Sequence, residues 1–304
     1  MGNADLIGTL TETVKELSEP FLEPFLLKRL FHQHKDGTPL PSGAVLQEIV
    51  ELLRAIIFPE YYGKSLVNIN TVKFYIGANI ERLHRLLSDQ IQAGLCFACS
   101  EEDEEVAMQT EGLCGRAEEF SVQLITLLPR IRKTLATDVT AAYKGDPAAK
   151  SYEEVILCYP VIKALTNYRV AHELLKMGIP FIPRMLTEMA HSETGIDIHP
   201  GAEIGRYFTI DHGTGVVIGA TCIIGDNVKL YQGVTLGARS FPLDAEGRPI
   251  KGIPRHPILR DNVVIYSNAT LLGRITIGEG CVIGANIWVT EDIEPYTKIF
   301  KKIN

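Results

Sequence analysis

Hydrophobic positions along the chain follow two different periods. Up to residue 186 the spacing is helical: Ile76, Ile80, Leu83, Leu87 and Ile91 recur at steps of three or four, as do Val122, Ile125, Leu128, Ile131 and Leu135. Residues 43–58 and 161–177 read as two further amphipathic helices. Ser100–Glu105 is acidic and reads as a solvated loop between helices. Pro129 and Pro160 should start or kink helices rather than lie inside them, because proline lacks the donor that a helix interior uses.

From Ile198 onward the period becomes six. Ile198, Ile204 and Ile210 open the frame, and after a two-residue insertion it resumes at Ile218, Ile224, Leu230 and Leu236. It breaks for about twenty residues and returns at Leu259, Ile265, Leu271, Ile277, Ile283 and Val289. A second series four residues on is small or β-branched: Ala202, Thr214, Cys222, Val228, Val234, Val263, Ala269, Ile275 and Cys281. A six-residue period suits a chain that turns a corner every six residues with one aliphatic side chain pointing inward per side. Three sides make a coil of 18 residues, and coils stack as parallel strands roughly 4.8 Å apart. Gly205, Gly219, Gly225, Gly237, Gly278 and Gly284 each follow a frame aliphatic, and glycine is expected there for corner backbone angles that a side chain forbids. The pattern resembles the hexapeptide-repeat family, whose coil winds left-handed against the usual crossover rule. The expected fold class is α+β: an α-helical domain over 1–186, then a left-handed parallel β-helix over 187–304 with an extruded loop.

Composition narrows the function. With 46% hydrophobic and 22% charged residues, the chain can bury a substantial core. Its net charge of −7 offers no basic footprint for nucleic acid, so an anionic cofactor must be met by local positive groups. No apolar run is long enough to span a membrane, and the N-terminus lacks the basic and apolar regions of a signal peptide, so a cytoplasmic location is expected. Cys96 and Cys99 form a lone C-x-x-C, read as a helix end, while Cys222 and Cys281 fall on a core position of the repeat.

Polar residues that interrupt the repeat mark the chemistry. They are Asp197-Ile198-His199-Pro200, Asp211-His212-Gly213-Thr214-Gly215 and Arg255-His256-Pro257. Asp197 and His212 are fifteen residues apart, just short of one coil, which should bring them within hydrogen-bond reach on adjacent coils. An acid that holds one ring nitrogen leaves the other free to take a proton, the base-and-orienter arrangement of acyl transfer. The frame break, Ala238–Ile258, carries Arg239, Arg248, Lys251 and Arg255, a positive cluster in an acidic chain.

These motifs stand in the order and spacing found in serine O-acetyltransferases, which the chain resembles over roughly residues 138–290. The matching elements are D-I-H-P, D-H-x-T-G-[IV]-V-[IV]-G, Q-x-V-T-L-G and R-H-P. Upstream, Asp138 with Asp146-Pro147-Ala148 and Tyr168-Arg169-x-x-His172 match as well. The resemblance implies transfer of acetyl from acetyl-CoA to the hydroxyl of L-serine, a step of cysteine biosynthesis, without a metal. His212 would be the general base, Asp197 its orienter and His256 an assisting group. Arg255 would bind the substrate carboxylate, and Asp146 and Asp211 its ammonium. The pantetheine arm of the cofactor would lie between neighbouring β-helices against Gly237, Ala238, Ser267 and Ala285, although Ala238 stands where the family usually has a second glycine. The resemblance also implies a homotrimer or a dimer of trimers, and feedback inhibition by L-cysteine. Family members dock on O-acetylserine sulfhydrylase through a tail ending in Ile; Asn304 stands here instead, so a tight complex is not expected. The alternatives are a hexapeptide acetyltransferase for another alcohol or amine, such as a sugar, and a non-enzymatic β-helix scaffold. A γ-type hydratase would need three histidines around one metal, and His199, His212 and His256 lack its spacing.

Overall fold

The computed structural model describes residues 3–18, 40–63, 67–99, 112–113, 115–240, 242–245 and 247–301. Residues 1–39 and 40–304 form separate compact units. The first contains helix α1 (Asn3–Ser18). The acidic stretch at 100–105, Cys114 and the final residues 302–304 lie outside the described residues.

The second unit opens with helices. These are α2 (Gly43–Ile57), α3 (Pro59–Tyr62), α4 (Val72–Cys99), α5 (Ala117–Gly145), α6 (Tyr152–Cys158), α7 (Pro160–Lys176) and α8 (Ile182–Thr194). Ser42 caps α2 by accepting from the Val45 N–H, and Ser151 caps α6 by accepting from Glu154. Leu46, Ile49 and Leu53 of α2 join Leu83, Leu87, Ile91 and Leu95 of α4 and Leu124, Leu128, Ile131 and Leu135 of α5 in the buried core. Val122 is exposed; the buried face of α5 runs one step away, through Phe120 and Leu124. Pro160 begins α7 as expected. Pro129 instead lies inside α5, on its solvent face, where water can reach the carbonyl that the missing N–H leaves unbonded. The C-x-x-C closes α4, and Cys96 is a free thiol.

Helix α8 runs to Thr194 before Gly195, at φ 72°, ends it in the left-handed conformation. Among the described residues fourteen short strands follow: β1 (Ile196–Ile198), β2 (Glu203–Ile204), β3 (Thr209–Asp211), β4 (Val216–Ile218), β5 (Ile223–Ile224), β6 (Lys229–Tyr231), β7 (Thr235–Gly237), β8 (Ile258–Leu259), β9 (Val264–Ile265), β10 (Thr270–Leu272), β11 (Thr276–Ile277), β12 (Val282–Ile283), β13 (Trp288–Val289) and β14 (Lys298–Ile299). They form three parallel faces, β1-β4-β7-β10-β13, β2-β5-β8-β11 and β3-β6-β9-β12-β14, which is the expected parallel β-helix. The frame aliphatics fill its interior; only Ile204, in the first coil, is half-buried. The solenoid extends past Val289, since β14 pairs with β12.

Two details differ from expectation. Thr214 is exposed and Val216 takes the inward place, because the insertion falls at Asp211–Gly215 and displaces the frame by two. The glycines after the frame aliphatics do not have positive φ. They are needed because the next coil passes too close: a Cβ at Gly205 would lie 2.6 Å from the Gly225 carbonyl oxygen, and one at Gly278 would lie 2.4 Å from Pro295 N. The left-handed corners come two or more residues later. One corner stacks Tyr207, Asn227, Asn262, Gly280 and Tyr296, and another stacks Gly195, Gly215, Gly233, Asn268 and Asn286. Among the described residues, no helix is long and apolar enough to cross a membrane.

Candidate active site

The candidate residues divide into two groups. Helix α5 ends on Gly145, which places Asp146 beside the β-helix. One Asp146 carboxylate oxygen accepts from the Ala148 N–H at 2.8 Å, and the other accepts a short hydrogen bond from the Tyr159 hydroxyl. That hydroxyl, followed by the Ala148 N–H and then by Lys229 and His212, holds Asp146 below the usual carboxylate range. The same bond pushes the Tyr159 phenol up to about 12. Lys229, outward-facing on β6, donates to the Gly145 carbonyl at 2.6 Å and pairs with Asp211 at 3.0 Å. His212 follows Asp211 at φ 58° with its side chain three-quarters exposed, and its Nε2 stands 3.9 Å from Asp211. The first group is therefore Asp146, Asp211 and His212, joined by Tyr159 and Lys229.

The second group surrounds the point where the extruded loop re-enters the coil. The loop itself is a small hairpin, with Leu243 bridged to Pro249 and Arg248 paired to Asp244 at 2.9 Å. At its end the N–H groups of Arg255 and His256 both donate to the Thr221 hydroxyl, at 2.9 and 3.2 Å. The His256 ring is buried. Burial first, then the charges of Arg255, His199 and Arg274, pull its pKa down to about 4, so the imidazole is neutral at working pH. His199, two residues after Asp197, is also held low, by burial and by Arg184. Asp197 lies 3.5 Å from Arg184 and close to Glu188 and His191.

The hydrogen bond anticipated between Asp197 and His212 is not formed within the chain. The insertion lengthens the first coil to 20 residues, so the register sets Val217 above Asp197. His212 falls five positions short, in the turn that enters the face, and its nearest acid is Asp211. The two groups occupy opposite ends of the face β1-β4-β7-β10-β13: His212 precedes β4, while His256 packs on Gly219, just after it. The residues anticipated for the cofactor are divided in the same way. Ser267 and Ala285 stack before one corner, and Gly237 and Ala238 lie at the far end of the face.

Sequence reasoning missed Lys229, Tyr159, Thr221 and Arg184. Lys229 left a faint trace: the equivalent positions of its face are Thr209, Val264 and Val282, and only the last strand repeats the charge, at Lys298. Tyr159 and Thr221 left none, since neither type is unusual where it stands.

Comparison with known proteins agrees with this fold. The bacterial transferase hexapeptide (six repeats) family matches residues 256–286. Serine acetyltransferase 1 of Entamoeba histolytica, solved in complex with L-cysteine, superposes with a TM-score of 0.70 at 36% identity, covering 83% of this chain and 86% of that one. The Neisseria gonorrhoeae serine acetyltransferase in complex with serine gives 0.54 at 26% identity, covering 85% and 95%. The plasmid serine acetyltransferase of Synechococcus elongatus is 45% identical over 287 residues, 93% of this chain and 88% of that protein. With that identity along nearly its whole length, the chain belongs to the serine acetyltransferase family.

Proposed function

We propose that the protein transfers the acetyl group of acetyl-CoA to the hydroxyl of L-serine, in a site shared by two copies of the chain. The observation that carries this reading is the division of the candidate residues between opposite ends of one β-helix face. One end holds a base and two carboxylates, and the other holds Asp197, Arg255 and His256. When copies pack side by side, the first group of one copy faces the second group of the next. A zwitterionic amino acid needs both: Asp146 and Asp211 for its ammonium, Arg255 for its carboxylate. His212 takes the proton from the serine hydroxyl, with Asp197 of the neighbouring copy as its orienter. The serine oxygen attacks the thioester carbonyl, and collapse of the tetrahedral adduct breaks the C–S bond, the departing sulfur receiving the proton from His212. The pantetheine arm lies along the same junction, past Gly237 and Ala238 of one copy and Ser267 and Ala285 of the other. A homotrimer, alone or paired into a hexamer, supplies such junctions.

L-Cysteine differs from L-serine only in its sulfur, so it occupies the same pocket and competes there. This fits the relative that was solved with L-cysteine.

The assay is release of free thiol from acetyl-CoA against a panel of amino acids and sugars, with L-serine expected to be the preferred acceptor. Preference for a sugar would overturn the reading. Sharing of the site is tested by mixing subunits. His212→Asn and His256→Gln chains should each be strongly impaired alone, and co-assembled they should regain activity at junctions where both intact groups meet. A mixture as inactive as its components would place the whole site in one chain. At the carboxylate end, Arg255→Ala should raise the serine KM more than it lowers kcat, because that ion pair is common to ground and transition states. A loss confined to kcat would remove Arg255 from carboxylate binding.

A further inference from the structure

We propose that Thr221 is a positioning residue for acyl transfer, holding His256 as a neutral ring that presents its Nε2–H to the reacting oxygen. This rests on the acetyl-transfer reading and adds a direction to it: His256 donates a hydrogen bond, whereas His212 accepts a proton.

The geometry defines the tautomer. The backbone N–H of Thr221 donates to His256 Nδ1 at 3.1 Å, and a backbone N–H can only donate. Nδ1 is therefore the acceptor, and the ring proton of the neutral imidazole is on Nε2. The Thr221 hydroxyl stands 2.9 Å from the same nitrogen. Its oxygen already accepts from the Arg255 and His256 N–H groups, so its own proton is directed to Nδ1. One side chain thus closes the loop onto the coil and orients the ring it delivers. Arg274 braces the arrangement from outside, donating to the carbonyls of Thr221 at 2.5 Å and His256 at 3.0 Å.

The space beneath the ring is equally specific. A Cβ on Gly219 would lie 2.0 Å from His256 Cδ2 and 2.3 Å from Nε2, so the ring sits directly on a bare glycine. Nε2 has no hydrogen-bond partner among the described residues and remains available to substrate. Protonating the ring would set an Nδ1–H against the Thr221 N–H, which agrees with the low pKa of His256. A fixed, uncharged donor suits an oxygen that gains negative charge as the tetrahedral adduct forms, since it needs no reorganisation at that moment.

The test combines long-range nitrogen NMR of 15N-histidine-labelled full-length protein with the thiol-release assay. The His256 signal is assigned by its loss in His256→Gln. The wild type should show Nε2–H with bare Nδ1, unchanged down to about pH 5, well below the ordinary histidine range. Thr221→Val should mix the tautomers and lower kcat about tenfold, short of the roughly 10²–10³ for losing the donor altogether, while Thr221→Ser should restore both readouts. Gly219→Ala, which leaves the threonine intact, should displace the ring and give a comparable loss in kcat. A wild-type ring protonated on Nδ1, or a Thr221→Val enzyme with unaltered kcat, would overturn the proposal. If wild-type protein released no thiol with any acceptor, the acetyl-transfer reading would fall, and the tautomer spectra alone would decide whether Thr221 orients His256.

Discussion

A His212→Asn chain should fold as the wild type does and turn over about 10²–10⁴ times more slowly, the range for a lost general base. The substitution removes the only ring in the first group that can take a proton and keeps the side chain small and polar. It should not disturb the fold, because His212 is at φ 58° with an exposed side chain. Asparagine occupies that left-handed region more readily than histidine does, so the melting temperature should hold or rise slightly. The measurement is kcat from thiol release beside a thermal melt. Near-wild-type turnover with an intact fold would remove His212 from proton transfer.

The largest expected loss of stability lies elsewhere, at Asp138. Its carboxylate is fully buried and takes a two-pronged ion pair from Arg169, 2.7 Å from Nε and 3.0 Å from Nη2, together with the Phe208 N–H at 3.1 Å. Burial pushes the Asp138 carboxyl up to about 6 even against the pull of Arg169. Arg169 also donates to the carbonyls of Ile204 and Gly205, so helices α5 and α7 and the first coil meet at this pair. Asp138→Ala would leave a buried guanidinium and an amide without their acceptor, at a cost of about 3–5 kcal/mol. The exposed pair Arg116–Glu119 is the control. Removing it should cost no more than about 1 kcal/mol, because water and salt screen it. Urea unfolding midpoints compare the two, and equal shifts would show that the Asp138 pair does not tie the helices to the coil.

The β-helix was legible because one inward aliphatic per side is an obligatory requirement, repeated thirteen times, and errors at single positions could not hide it. Helices α2 and α7 were legible to within a residue or two for the same reason. The glycines were recognised for the wrong reason, since sequence spacing carries no information on how closely the next coil approaches. Asp197 and His212 were misjudged as neighbours because an insertion of two residues shifts register, and an 18-residue count cannot show where the added length is taken up. Tyr159 and Thr221 act through hydrogen bonds between separate segments of the chain. Nothing in a one-dimensional pattern encodes such contacts.

The register also sets what the molecule can lose. Successive coils are offset by 20 residues across Asp211–Gly215, by 35 across the extruded loop, by 18 where neither insertion intervenes, and by 16 in the last coil. Both insertions carry candidate residues, His212 on the first and Arg255 and His256 at the end of the second. The strands on either side pair as though nothing had been added. Stacking and chemistry are therefore written on different parts of the same ribbon. Trimming the two extra residues would heal the coil and erase the base, leaving a prism that still stacks and transfers nothing.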